Sequence, residues 1–128
     1  MTKKCLMISD FSVAEITAII DRAEKMKKSP HEYIVALRGK SLGVIFEKPS
    51  TRTRVSFEVG INQLGGFSFY LAPEEMQLGK REEIRDVART LSRYLDVVVL
   101  RTFKHHLIEE FSRYSTIPVI NGLSDLAH

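Results

Sequence analysis

Leu42-Gly43-Val44-Ile45-Phe46-Glu47-Lys48-Pro49-Ser50-Thr51-Arg52-Thr53-Arg54-Val55 holds two kinds of local order. Residues 42–46 are short, apolar and nearly continuous, as a strand buried on both faces of a parallel sheet would be. From Val55 onward the apolar residues recur at helical spacing. Between them lies the pentad Ser50-Thr51-Arg52-Thr53-Arg54, with hydroxyls and guanidiniums where a strand hands over to a helix. A helix N-terminus presents unpaired N–H groups and a positive dipole end, which favour a phosphate.

Elements of the same kind flank this stretch on both sides. Ser12-Val13-Ala14-Glu15 reads as a capping box, and Val13, Ile16, Ile20 and Ala23, widened by Ile19 and Met26, continue a helix that stops before Pro30. This helix is expected to be a packing element. Val55, Val59 and Leu64 give the next stripe, closed by Gly65-Gly66 as a C-cap, with Gly60 suggesting close packing. Phe67-Ser68-Phe69-Tyr70-Leu71 is a second strand, and residues 72–81 an exposed loop. Ile84, Val87, Ala88, Leu91 and Leu95 form a helical stripe running into the strand Asp96-Val97-Val98-Val99-Leu100. A helix through Leu107, Ile108 and Phe111 and a fourth strand at Ile117-Pro118-Val119-Ile120 complete the order. The alternation predicts an α/β three-layer sandwich, with a mainly parallel four-stranded sheet covered by helices on both faces. Ligands of such sheets bind beyond the strands' carboxyl ends, where Ser50, Arg101 and the segment after Ile120 fall.

With 128 residues the chain reads as one domain, 1–128, able to bury roughly two thirds of its unfolded surface. Net charge is +3, with acids and bases interleaved, which argues against nucleic acid. Cys5 is the single cysteine, so neither an intrachain disulfide nor a cysteine metal cluster can form; it reads as a small apolar residue. No run approaches membrane-spanning length and Met1-Thr2-Lys3-Lys4 lacks a leader's apolar core. A cytoplasmic protein without metal or membrane contact is expected.

Within the pentad, Ser50, Thr51 and Thr53 offer hydroxyls and Arg52 a bidentate fork. Two residues on, Arg54 diverges from Arg52 and has Glu58 at i, i+4, so it reads as support. Arg101 follows four apolar strand residues. Gln77 lies on a loop and His128 is the last residue; neither stands out by itself.

Phe46-Glu47-Lys48-Pro49-Ser50-Thr51-Arg52-Thr53-Arg54-Val55-Ser56-Phe57-Glu58 closely resembles the carbamoyl-phosphate signature of the aspartate and ornithine carbamoyltransferase family. Gln77-Leu78-Gly79, Arg89-Thr90-Leu91-Ser92-Arg93-Tyr94, Arg101-Thr102-Phe103 and Asn121-Gly122-Leu123-Ser124-Asp125 match in order, over essentially the whole chain but only the first half of the family's. The Gln77 loop and the Leu-Ser-Arg-Tyr segment look like the ornithine branch. The resemblance implies that Ser50, Thr51, Arg52 and Thr53, with Arg54 in support, bind the phosphate of carbamoyl phosphate. It implies that Arg101 and His128 reach the carbamoyl oxygen, and that Gln77 crosses to a neighbour in a homotrimer. Arg52, Arg101 and His128 would be the catalytic groups, with no cofactor needed. The family's Pro and Gln after the histidine, and its ornithine-binding domain, are absent from this chain. The resemblance therefore implies the donor half of an arginine-biosynthetic transferase, unable to form citrulline alone. Other amine acceptors (aspartate, putrescine, an acylated ornithine) and a non-catalytic phospho-ligand module are the alternatives.

Overall fold

The computed structural model describes residues 4–77, 79–80 and 82–128. Met1 to Lys3 of the N-terminal tetrad, Leu78 of the Gln77 loop and Arg81 lie outside them. In chain order the elements are β1 (Lys4–Cys5), α1 (Val13–Lys28), β2 (Ser41–Phe46), α2 (Thr51–Gln63), β3 (Phe67–Leu71), α3 (Pro73–Met76), α4 (Ile84–Ser92), β4 (Val97–Arg101), α5 (His105–Tyr114) and β5 (Val119–Asn121). The sheet is parallel throughout, in the order β1-β5-β4-β2-β3.

The expected class holds, but the sheet has five strands, not four. The added strand, β1, pairs only Lys4 with Val119 and Cys5 with Ile120. Two residues carry no periodicity, so neighbouring β5 had to define this strand. Cys5 is half-buried there, and burial pushes its thiol pKa up. Residues 72–81, expected as loop, contain the single turn α3.

Strand alternation sends side chains to two cores. Ile45, Val98, Leu100 and Val119 meet Ile84, Val87 and Ala88 of α4 and Ile108 and Phe111 of α5 on one face. Leu42, Val44, Phe46 and Val99 meet Ile61 and Phe57 of α2 on the other. Helix α2 is apolar on two sides, and the sheet takes Phe57 and Ile61; Val55 and Val59, expected inward, are about half exposed. Its C-terminus is as expected: Gly65 has φ +90°, and the N–H groups of Gly65 and Gly66 donate to the carbonyls of Asn62 and Ile61 at 3.0 and 2.9 Å, a Schellman arrangement. The close packing expected at Gly60 is not found, since a Cβ there would meet nothing within 4 Å.

Helix α1 starts as expected, Ser12 accepting from the Glu15 N–H at 3.2 Å and Glu15 from the Ser12 N–H at 2.8 Å. It is not a packing element within these residues. None of its side chains is buried, and Val13 is 82% exposed. Periodicity reports an apolar face; it does not supply the surface that covers it. Among the described residues no helix is long and apolar enough to cross a membrane.

Topology places the ligand edge. From β2 the chain crosses through α2 to β3 on one side; from β4 it crosses through α5 to β5 on the other. The order therefore reverses between β2 and β4, and the crevice outside their carboxyl ends is where open parallel sheets bind ligands.

Candidate functional site

The switch point is built from the last residues of β2 and β4. Phe46 pairs with Arg101 across the sheet, and the Glu47 N–H donates to the Arg101 carbonyl at 2.7 Å. Alternation puts Arg101 on the face of Val97 and Val99, the face covered by α2. Segment 121–128 joins the same edge, with the Gly122 N–H donating to the Leu100 carbonyl at 2.7 Å.

Ser50 stands at the N-cap of α2 in an extended conformation (φ −156°, ψ 103°), yet its side chain makes no capping hydrogen bond. A serine used only to start a helix would close onto the second or third amide. This one caps no amide, and among the described residues no hydrogen bond is made by its hydroxyl or by the first-turn amides. Ser50 and Thr51 line a cavity of about 540 Å³ with Pro49, Glu47, Arg54 and Tyr70.

Arg54 is fixed in the wall of this cavity. Its Nε donates to Glu58 Oε2 at 3.0 Å, and its guanidinium carbon lies 3.4 Å from the centroid of the Tyr70 ring. Ser68 Oγ donates to Glu58 Oε1 at 3.4 Å, completing the bracket. The i, i+4 pairing read from the sequence is present. Arg52 is exposed and Thr53 half-buried; neither lines the cavity.

Arg101 is held differently. One terminal nitrogen donates to the Gly122 carbonyl at 3.4 Å, while its Nε is buried and has no hydrogen-bond partner. A buried guanidinium N–H without an acceptor costs about 1–3 kcal/mol, so its retention at this edge points to a ligand oxygen.

Gln77 sits in the left-handed region, φ 37°, and lines a neighbouring cavity of about 310 Å³ with Phe46, Glu47, Lys80 and Phe103. It does not join the pentad's cavity within this chain. His128 is exposed at the end of segment 121–128. Among the described residues no group of three His, Cys, Asp or Glu side chains is placed to hold a metal.

Glu47, which the sequence reading passed over, stands between the two cavities and lines both. Burial raises its carboxyl pKa, opposed by a hydrogen bond from the Phe103 amide and by the charges of Lys80 and Lys48; its Oε1 is buried without a partner. The available signal was position, a carboxylate directly after a buried strand at the ligand edge. A carboxyl raised in the folded state contributes stability below its unfolded pKa, lost as pH rises through the folded value. Glu47→Gln should therefore stabilise the fold at pH 7–8 by less than about 1 kcal/mol, because solvent screens a partly exposed group. The gain should vanish below about pH 4. Melting curves of both proteins across pH check this.

The arrangement defines a class: an open parallel α/β domain whose switch point carries an uncapped helix N-terminus and a half-buried arginine with a buried, unpartnered Nε. The family described as aspartate/ornithine carbamoyltransferase, carbamoyl-P binding domain, matches residues 3–128, and the chain belongs to it. It is 53% identical to an ornithine carbamoyltransferase of Methanoculleus marisnigri and 52% identical to one of Archaeoglobus fulgidus, covering 100% and 98% of this chain. It spans only 42% of the length of each relative. The ornithine carbamoyltransferase structure of Pyrococcus furiosus superposes with a TM-score of 0.95 at 44% identity, over 98% of this chain and 41% of that one. An N-acetyl-L-ornithine transcarbamylase mutant solved with carbamyl phosphate and N-succinyl-L-norvaline gives 0.85 at 35% identity, over 95% and 43%.

Proposed function

We propose that these 128 residues are the donor half of an ornithine carbamoyltransferase. The open first turn of α2, with Ser50, Thr51, Thr53 and Arg52, holds the phosphate of carbamoyl phosphate. Arg54 keeps that turn in place from its bracket with Glu58 and Tyr70. Arg101 and His128 donate to the carbamoyl oxygen. The observation that carries this reading is the buried, unpartnered Arg101 Nε at the end of β4, together with the uncapped Ser50 that follows the paired strand β2.

In the reaction the ornithine side-chain nitrogen bonds to the carbamoyl carbon, and charge develops on the carbamoyl oxygen. The carbon–oxygen bond to phosphate then breaks, phosphate leaves with the electron pair, and the nitrogen loses a proton. Donors already aimed at the developing oxyanion are typically worth ~3 kcal/mol of barrier each. Arg52 balances charge on the departing phosphate. Nothing in this sequence of steps calls for a cofactor. Gln77, on its left-handed turn, is proposed to serve a neighbouring subunit of a homotrimer. Ornithine is favoured as acceptor by the 50% or greater identity to curated proteins of that name. The N-acetylornithine relative has the same fold at lower identity. A cytoplasmic role in arginine biosynthesis belongs to the same reading.

Calorimetric titration with carbamoyl phosphate and then with inorganic phosphate tests the site. The chain should bind carbamoyl phosphate more tightly, and Arg52→Ala should weaken both ligands roughly 10- to 100-fold, as loss of charge-assisted hydrogen bonds does. Equal, weak affinity for both, unchanged in Arg52→Ala, would remove the support for this function.

A further inference from the structure

Segment 121–128 carries His128, the proposed hydrogen-bond donor to the carbamoyl oxygen, and has no regular structure after β5. It is held instead by a compact set of polar contacts. Asn121 Nδ2 donates to the carbonyls of Leu6 and Ala127 at 3.0 and 2.9 Å. Ser124 closes the turn: its N–H and Oγ lie 2.9 and 3.1 Å from the Ala127 carbonyl, and the Ala127 N–H donates back to Oγ at 3.2 Å. Ala127 directly precedes His128.

One residue outside the segment grips it twice. The backbone N–H of His105, in the first turn of α5, donates to Asp125 Oδ1 at 2.8 Å. Lys104, at the N-cap of α5, supplies no side-chain cap, so Asp125 serves from 20 residues away. The His105 ring, 5% exposed, places Nδ1 2.8 Å from Ser124 Oγ. Its Nε2 is buried without a hydrogen-bond partner, 3.9 Å from Glu109 Oε1.

The one proton of the Ser124 hydroxyl can go to the Ala127 carbonyl or to His105 Nδ1, according to the tautomer of the ring. We infer that His105 is a positioning residue for the donor site, its Nδ1 bond to Ser124 Oγ fixing the hydroxyl that meets Ala127 and so aiming His128. This rests on the reading that His128 meets the carbamoyl oxygen. A histidine buried in a helix is otherwise a core residue; here its N–H and its Nδ1 both bond to segment 121–128, which carries the proposed site residue His128.

The test compares carbamoyl phosphate with inorganic phosphate by calorimetry. Phosphate contacts only the pentad in this reading, so it reports whether the fold and the anion cradle survive. His105→Ala should weaken carbamoyl phosphate roughly 3- to 10-fold, the loss of one neutral hydrogen bond, and leave phosphate unchanged. His105→Asn, whose amide stands near the position of Nδ1 and can donate or accept there, should restore affinity. Ser124→Ala, which removes the same bond from the other side, should match His105→Ala and serves in its place if that variant does not fold. Neither should weaken carbamoyl phosphate further in a His128→Ala background. A loss in His128→Ala without one in His105→Ala and Ser124→Ala would overturn the positioning role and leave the donor site standing. Equal losses for both ligands would reduce His105 to a structural residue. No loss in His128→Ala would overturn both the positioning role and the carbamoyl contact on which it depends.

Discussion

Arg101→Leu should weaken carbamoyl phosphate roughly 10- to 100-fold while raising the melting temperature of the domain. The two effects share one cause. Arg101 ends β4 on the α2 face of the sheet, with Nε buried and unpaired. That atom costs about 1–3 kcal/mol as long as no acceptor reaches it. Leucine keeps much of the side chain's apolar volume and removes the unsatisfied donor, so the unliganded fold gains. What the proposed site loses is a charged donor to its ligand, and hydrogen bonds to charged groups are worth about 1.5–3 kcal/mol each. Sites kept strained for binding show this opposition of stability and function. Calorimetry and a melting curve on the same two proteins check it. A variant that binds as well as the parent, or that melts lower with binding intact, would place Arg101 among ordinary strand-end residues.

Phe111→Ala should lower the melting temperature by roughly 10–20 °C. Phe111 is completely buried among Ile45, Leu100, Ile108 and the α4 side chains. Truncating such a phenylalanine costs about 3–5 kcal/mol, because the packed neighbours cannot close the cavity. Domains of this size have only about 5–15 kcal/mol in total, and each kcal/mol is worth several degrees. The loss also frees α5, whose first turn carries His105. Ile20→Ala on α1, a residue 53% exposed, should move the same melting curve little. Circular dichroism melts of the two variants separate a load in the core from an apolar stripe without a cover; a small shift for Phe111→Ala would contradict the packing described.

The sequence by itself determined the α/β alternation, since strand and helix periods are written into local runs such as 42–46 and the stripe from Ile84 to Leu91. It also placed hydroxyls and arginines at the strand-to-helix handover, the residues on which the proposed anion site rests. Arg54 with Glu58 was legible for the same reason: i, i+4 neighbours are set by helix geometry alone. Tertiary structure decided what depends on partners far along the chain. Helix α2 carries apolar residues on two faces, and the sheet, not the period, chose Phe57 and Ile61 over Val55 and Val59. Strand β1 exists because β5 accepts it, whereas α1 leaves Val13, Ile19 and Ile20 of its apolar stripe exposed because no helix or strand among the described residues covers them. Glu47 and His105 gained their surroundings only when the reversal between β2 and β4 and the return of segment 121–128 enclosed them. A side chain's type is local, but its burial and its partners are not.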